Sequence, residues 1–507
     1  MRCIFKESIS GSVGGRPLNH NDPRYFPYTH RREPLCFGAV CQQWRSIAWG
    51  YADVWTTLRF PLSGPGYAHG PQLVSEWLER TGNSLLSIQL HDSEAERNDE
   101  DPLRRLLIST NAQEIARIIA TCSARCESMR LHTSFLSVID RILRGAGSTS
   151  DSSTLRQLSL DGRLGEDGRT TEDIILLDPE QRPSPTHLCM SSFIPPAKIN
   201  INWSKITHLY AERLSHQAFY FLLSHISSSL TDLCVGSLVT SLIDSPDWFW
   251  TGPITLGALT SLSITGRDFG CSLMEFTDMV TPSLHSFSYN GVGLSNRLPV
   301  GEFLLLVERS GCEIRNLKFD YPLVSDAELA HLLRSLPTVR NLKLVFNDRF
   351  DVTPLFRGLS QKNLRTDTDP FLPNLERLDL STCAPFWRSF IRIFDDNPAS
   401  EPSEQNFACV PRRKDLRITL RVKSPVVPYK ITDYIDLITL YQLAVLWRKH
   451  SVFSVFLSHG EKRDQVKSFL EQSYDAHLAA PGGEENARKL GNGDLRPDIL
   501  EMASLRF

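Results

Sequence analysis

Between Leu155 and Leu380 the chain keeps returning to one short pattern: an apolar residue, two variable ones, a Leu or aromatic, one variable residue and a further apolar one. The copies are Leu155/Leu158/Leu160, Ile206/Leu209/Ala211, Leu230/Leu233/Val235, Leu259/Leu262/Ile264, Leu284/Phe287/Tyr289, Ile314/Leu317/Phe319, Val339/Leu342/Leu344 and Leu375/Leu378/Leu380. Alternation at the end of each copy predicts a short strand with one apolar face. The steps between copies are 51, 24, 29, 25, 30, 25 and 36 residues. A unit of this length holds one strand and a return segment, cannot bury its own apolar face, and must stack on its neighbours. The step of 51 predicts either a degenerate unit around Thr186 to Met190 or an inserted loop.

Spacings of three and four residues predict the helices that return the chain. Phe219, Leu222, Leu223 and Ile226 form one stripe, Phe303, Leu306 and Val307 another, and Leu329, Leu332, Leu333 and Leu336 a third with Ser325 or Asp326 as cap and Pro337 as stop. Upstream, Phe37, Val40, Cys41, Trp44, Ile47 and Ala48 share one helical face, and Leu73, Val74, Trp77 and Leu78 share a second that ends at Gly82. Ile115, Ile118 and Ile119 continue a helix after the acidic stretch Asp92 to Asp101. Leu58 and Phe60, then Leu86, Ile88 and Leu90, alternate as strands, as do Leu416, Ile418, Leu420 and Val422 near the other end. A further strand is predicted at Val452 to Leu457, between helices at Ile435 to Trp447 and Val466 to Leu470.

The organisation that follows is a Gly- and Pro-rich, disordered lead-in at 1–34, a helical aromatic element at 35–60, a repeat coil at 61–425, a strand and helix cap at 426–480, and a mostly disordered tail at 481–507. Fold class is α/β. A net charge of -3 from 55 basic and 58 acidic residues points to neither nucleic acid nor an acidic membrane as partner. No run approaches the roughly 18 apolar residues of a membrane span, and Lys6 and Glu7 interrupt any leader, so the expected location is cytoplasmic or nuclear. The 11 cysteines then read as free thiols, with Cys41, Cys189 and Cys234 as small buried hydrophobes.

Catalytic signatures are absent: there is no His-Glu-x-x-His, Gly-x-Ser-x-Gly, phosphate loop or Gly-x-Gly-x-x-Gly. Cys122 and Cys126, four apart on an expected helix, lack the second ligand pair that a structural zinc needs. The expectation is a protein that is not an enzyme and holds no cofactor or metal. Three adjacent aromatics, Trp248, Phe249 and Trp250, cannot all enter one core and form a candidate partner-binding loop, with an edge cap as the alternative.

The stretch PLCFGAVCQQWRSIAWGYADVWTTL supplies Leu35, Val40, Cys41, Trp44, Arg45, Ile47, Ala48 and Trp55 in the order of the second half of an F-box. Downstream, EWLERTGNSLLSIQL and FLPNLERLDLS resemble the degenerate leucine-rich repeats of large fungal F-box families. The resemblance implies an irregular leucine-rich-repeat solenoid preceded by a partial F-box-like element, and a substrate-recognition subunit of an SCF-type (Skp, cullin, F-box) ubiquitin ligase. Its partners would be a Skp-family adaptor with its cullin ligase, and a protein substrate. Leu35, Val40, Cys41, Trp44, Arg45, Ile47 and Trp55 would be F-box core or adaptor contacts, with core the first reading of Trp44 and Trp55 because large aromatics in a helical stripe bury most of their surface. The family's opening Leu-Pro-x-Glu helix has no counterpart upstream of Pro34, which implies a truncated element or a ligase-independent interaction scaffold that has lost adaptor binding.

Overall fold

A computed structural model describes residues 41–62, 69–91, 102–133, 136–147, 154–161, 177–191, 196–236, 238–239, 253–266, 278–291, 298–346, 352–359, 371–382, 393, 416–423 and 453–458. The chain is mixed α/β and divides into two compact units, Met1–Leu259 and Thr260–Phe507. That division falls inside the stretch expected to form a single coil. The lead-in at 1–34, the acidic stretch 92–101, the helices expected at 435–447 and 466–470 and the tail at 481–507 lie outside the described residues.

In the first unit the long strands are β1 (Thr57–Pro61), β2 (Leu86–His91), β3 (Cys126–His132), β4 (Gln157–Asp161), β5 (His187–Ser191), β6 (His208–Glu212) and β8 (Asp232–Val235), with two-residue strands β7 (Leu214–Ser215), β9 (Leu238–Val239) and β10 (Ile254–Thr255). Each long strand pairs in parallel with the next one along the chain. Helices α1 (Gln42–Gly50), α2 (Gly70–Arg80), α3 (Pro102–Ala120), α4 (Leu136–Gly147) and α5 (His216–Ile226) lie between or before them, and short 3-10 turns lie on either side of β5. The second unit repeats the scheme with β11 (Ser261–Gly266), β12 (Met279–Val280), β13 (Ser286–Gly291), β14 (Asn316–Asp320), β15 (Asn341–Val345), β16 (Arg377–Thr382), β17 (Arg417–Lys423) and β18 (Phe453–Ser458). Helices α6 (Val300–Ser310), α7 (Asp326–Arg334) and α8 (Thr353–Leu359) return the chain, and all long strands again run parallel in chain order.

Register explains the pattern read along the chain. Leu317 faces Leu342, which faces Leu378, which faces Ile418; Phe319, Leu344 and Leu380 form the next rung. Every residue of the eight copies is buried. Several turns are closed over these rungs by a helix: Phe303 of α6 stacks on Phe287 of β13 with ring centroids 4.0 Å apart, and Phe319 meets Phe287 edge-on at 6.2 Å.

Backbone hydrogen bonds pass from turn to turn by a recurrent device. At several strands one carbonyl ahead of the strand accepts two successive N–H groups of the next: Arg315 O takes Arg340 N and Asn341 N, and Thr207 O takes Thr231 N and Asp232 N. At some turns a hydroxyl residue just before the leading apolar position caps the carbonyl of the leading apolar residue one turn back: Ser229 Oγ donates to Ile206 O (2.7 Å) and Thr338 Oγ1 to Ile314 O (2.9 Å). These bonds satisfy main-chain groups that would otherwise be buried without partners.

Several expectations need correcting. The long step of 51 contains a degenerate unit: Pro185, Leu188 and Met190 take the three apolar places, and all are buried. Cys126 is not helical; α3 ends at Ala120, and Cys126 opens β3, whose Cys126/Met129/Leu131 spacing is one more copy of the pattern. Leu73 is 53% exposed, because α2 turns only Val74 and Leu78 fully inward. Cys41 is exposed at the start of α1, and Cys234 is half-buried, whereas Cys189 is buried as expected. The capping role of Ser325 holds: its side chain accepts from Glu328 N while Glu328 reaches back to Ser325 N at 3.0 Å, a reciprocal box. The α6 stop uses Gly311, whose φ of +60° is open to glycine at little cost.

If the rungs carry the stability, Leu342→Ala should cost about 2–5 kcal/mol, the usual penalty for emptying a buried leucine site. Urea unfolding of the variant checks this; a change within about 0.5 kcal/mol, typical of surface positions, would contradict it.

Candidate functional site

The aromatic element folds as one cluster on the first turn. Helix α1 begins at Cys41, whose Sγ accepts from Trp44 N at 3.4 Å in place of the usual hydroxyl or carboxylate cap. Its inner face carries Trp44, Ile47 and Ala48, and the first two, with Tyr51 and Trp77, pack on Val54 and Trp55. Trp55 is fully buried and donates its indole N–H to Ala48 O at 2.7 Å, satisfying a carbonyl in the last turn of α1. Trp77 of α2 donates in turn to Trp55 O at 2.7 Å, and its ring meets that of Trp55 edge-on at 4.8 Å. Trp55 also fills the leading apolar place of the Trp55/Leu58/Phe60 turn. It therefore links the helix, the first strand and α2 through one side chain.

Of the sequence-derived residues, Cys41, Trp44, Arg45, Ile47 and Trp55 come together here. Trp55 is core, Trp44 and Ile47 are half-buried, and Cys41 and Arg45 face outward. Leu35 and Val40 lie outside the described residues, as do Trp248, Phe249 and Trp250. Sequence reasoning passed over Trp49 and Arg80. Trp49 is 45% exposed, with the Arg45 guanidinium 5.8 Å from its ring centre and that of Arg80 at 5.1 Å; Arg80 also lies 4.7 Å from the Trp55 ring centre. The signal was present as Arg45 and Trp49 one helical turn apart. Arg and Trp are the side chains most enriched where protein contacts are strongest.

The strand positions between the apolar rungs form a second candidate surface. In the first unit one row runs Gln157, His187, His208, Asp232, and another runs His132, Asp161, Ser191, Glu212. The imidazoles of His187 and His208 stack at 4.1 Å, each beside a Thr hydroxyl, and His208 Nε2 lies 3.2 Å from Asp232. Burial, then the neighbouring His208, push the His187 pKa below its ordinary value, opposed by Asp232. Cys189 sits between Ser159 and Tyr210, and burial pushes its thiol up to about 12, which keeps it protonated and a poor nucleophile.

Ser191, Asp161 and His132 adjoin, but in an order unsuited to nucleophilic catalysis. Ser191 Oγ donates to Asp161 Oδ1 at 2.8 Å, and His132 Nε2 is 3.7 Å from the other carboxylate oxygen. The carboxylate rather than the imidazole faces the hydroxyl, whereas activation of a serine places the base against it. Among the described residues no group of three or more His, Cys, Asp or Glu is placed to hold a metal ion, and no helix is long and apolar enough to cross a membrane. No protein-family model matches the sequence, and no curated protein matches it.

The depressed His187 pKa sets the sign of one acid effect. Below the ordinary imidazole value of 6.5 the unfolded chain takes up a proton that the folded chain resists, so stability is full above that value and declines as pH falls through it toward the lower folded value. Thermal melts from about pH 7.5 to about pH 5 should show this decline flattened by His187→Gln. Identical pH slopes in the two proteins would contradict it.

Proposed function

We propose that the chain is a leucine-rich-repeat substrate receptor of an SCF-type ubiquitin ligase. The helical aromatic element would tether it to a Skp-family adaptor, the strand face would hold a protein substrate, and ubiquitin transfer would be the work of other subunits. The observation that carries this reading is the joining of α1 to the first turn of a parallel repeat stack through Trp55, with Arg45 and Trp49 left outward on α1. The burial of Leu58, Ile88, Met129, Leu158 and their equivalents frees the alternate strand positions to vary with the substrate.

A second reading is a ligase-independent scaffold that uses the same strand face without an adaptor. No Leu-Pro-x-Glu occurs between Met1 and Pro34, and that helix supplies much of the adaptor contact in the family that the sequence resembles.

Copurification with a Skp adaptor separates the two. The chain as written should retain the adaptor weakly, and an extension carrying an upstream Leu-Pro-x-Glu helix should retain it much more tightly. Trp44→Ala in the extended form should weaken retention by about 2 kcal/mol or more, as expected for an anchoring aromatic. Retention by neither form would overturn the ligase reading in favour of the scaffold.

A further inference from the structure

The strand face of the second unit differs in charge from the chain as a whole. Its first row is Ser286, Asn316, Asn341, Arg377, Arg417, and its second is Ser288, Lys318, Lys343, Asp379, Thr419. With Asp320 one position further along β14, the face carries four cations and two carboxylates, on a protein of net charge -3. Arg377 and Arg417 are exposed and directly opposite each other, as are the half-exposed Lys318 and Lys343. Like charges at facing strand positions cost stability. Lys318 is relieved by Asp320 at 2.5 Å, whereas Lys343, Arg377 and Arg417 have no ion-pair partner among the described residues. Beside them Asn341 Nδ2 donates to Asn316 Oδ1 at 2.7 Å. That pairing leaves the amide nitrogen of Asn316 and the amide oxygen of Asn341 without a further hydrogen bond among the described residues.

We propose that this face of the second unit docks an extended acidic segment of a partner protein, through Lys318, Lys343, Arg377 and Arg417. The inference deepens the substrate-receptor reading and rests on its assignment of the strand face as the partner-binding surface. Four adjacent strands at about 4.8 Å place the cations over about 14 Å, and an extended chain rising about 3.3 Å per residue covers this with four or five residues. A short segment with interspersed Glu or Asp therefore reaches across all four cations. The Asn pair is placed to bond the segment's backbone. Asp320 and Asp379 argue against a nucleic acid, whose unbroken line of phosphates would meet them wherever it met the cations.

The test uses the full chain and fluorescence anisotropy with three labelled probes: a ten-residue peptide alternating Glu and Ser, its Lys and Ser counterpart, and a ten-nucleotide thymidine strand. The Glu peptide should bind best in about 0.05 M salt and weaken steeply toward about 0.3 M. K343E/R377E/R417E should lower its affinity at least about tenfold, with K343Q/R377Q/R417Q intermediate. The glutamine variant carries the test if the charge-reversed protein does not fold by circular dichroism. Unchanged affinity in the folded variants, or tighter binding of either other probe, would overturn the proposal. The adaptor is absent from this assay, so failure here leaves the tether reading intact, and failure of adaptor retention leaves this result standing.

Discussion

A strand with one apolar face is unstable by itself, and each turn of this protein has such a strand. Val339, Leu342 and Leu344 become buried only because Ile314, Leu317 and Phe319 lie on one side and Leu375, Leu378 and Leu380 on the other. Parallel pairing and apolar burial are one event, since the register that aligns the backbone bonds also aligns the rungs. The hydroxyl caps from Ser229 and Thr338 extend the same coupling to the residues just ahead of the strands, where main-chain carbonyls would otherwise be left unpaired. Within each unit, folding energy therefore passes between neighbours rather than converging on a central core.

Function can vary on such a frame because strand alternation separates two sets of positions. Those facing the rungs are held to apolar residues, and those facing away carry His187 and His208 in the first unit, Lys343 and Arg377 in the second. The tryptophan cluster is the exception, since Trp55 serves both as rung and as the seat of α1. Loss of that side chain would loosen α1 and the first turn together.

Much of this was legible in the sequence because the pattern is periodic. The helix at Ser325, with its cap at one end and Pro337 at the other, and the strands around Leu317, Leu342 and Ile418 follow from spacing alone. Irregular copies were not legible. Pro185 fills an apolar place in an unusual residue type; Leu86 reaches the Cys126 register through a bulge next to Ser87; and β3 begins with a cysteine whose four-residue spacing from Cys122 imitates a helical turn. Helix α4 was overlooked although Leu136, Ile139, Ile142, Leu143 and Ala146 form a regular buried stripe. At the site, the core role of Trp55 was readable from its aromatic neighbours, but the placing of Arg80 over Trp55 depends on α2 folding back, which local spacing does not encode.

Double-mutant cycles test the central claim of nearest-neighbour stacking most directly. Leu344 and Leu380 occupy facing positions on adjacent strands, whereas Ile264 lies on β11, several strands from Leu380. Unfolding free energies of Leu344→Ala, Leu380→Ala and their combination should depart from additivity by about 0.5–3 kcal/mol, while Ile264→Ala and Leu380→Ala should add to within about 0.5 kcal/mol. Additivity at the adjacent pair, or equal coupling at both, would contradict a structure held together rung by rung.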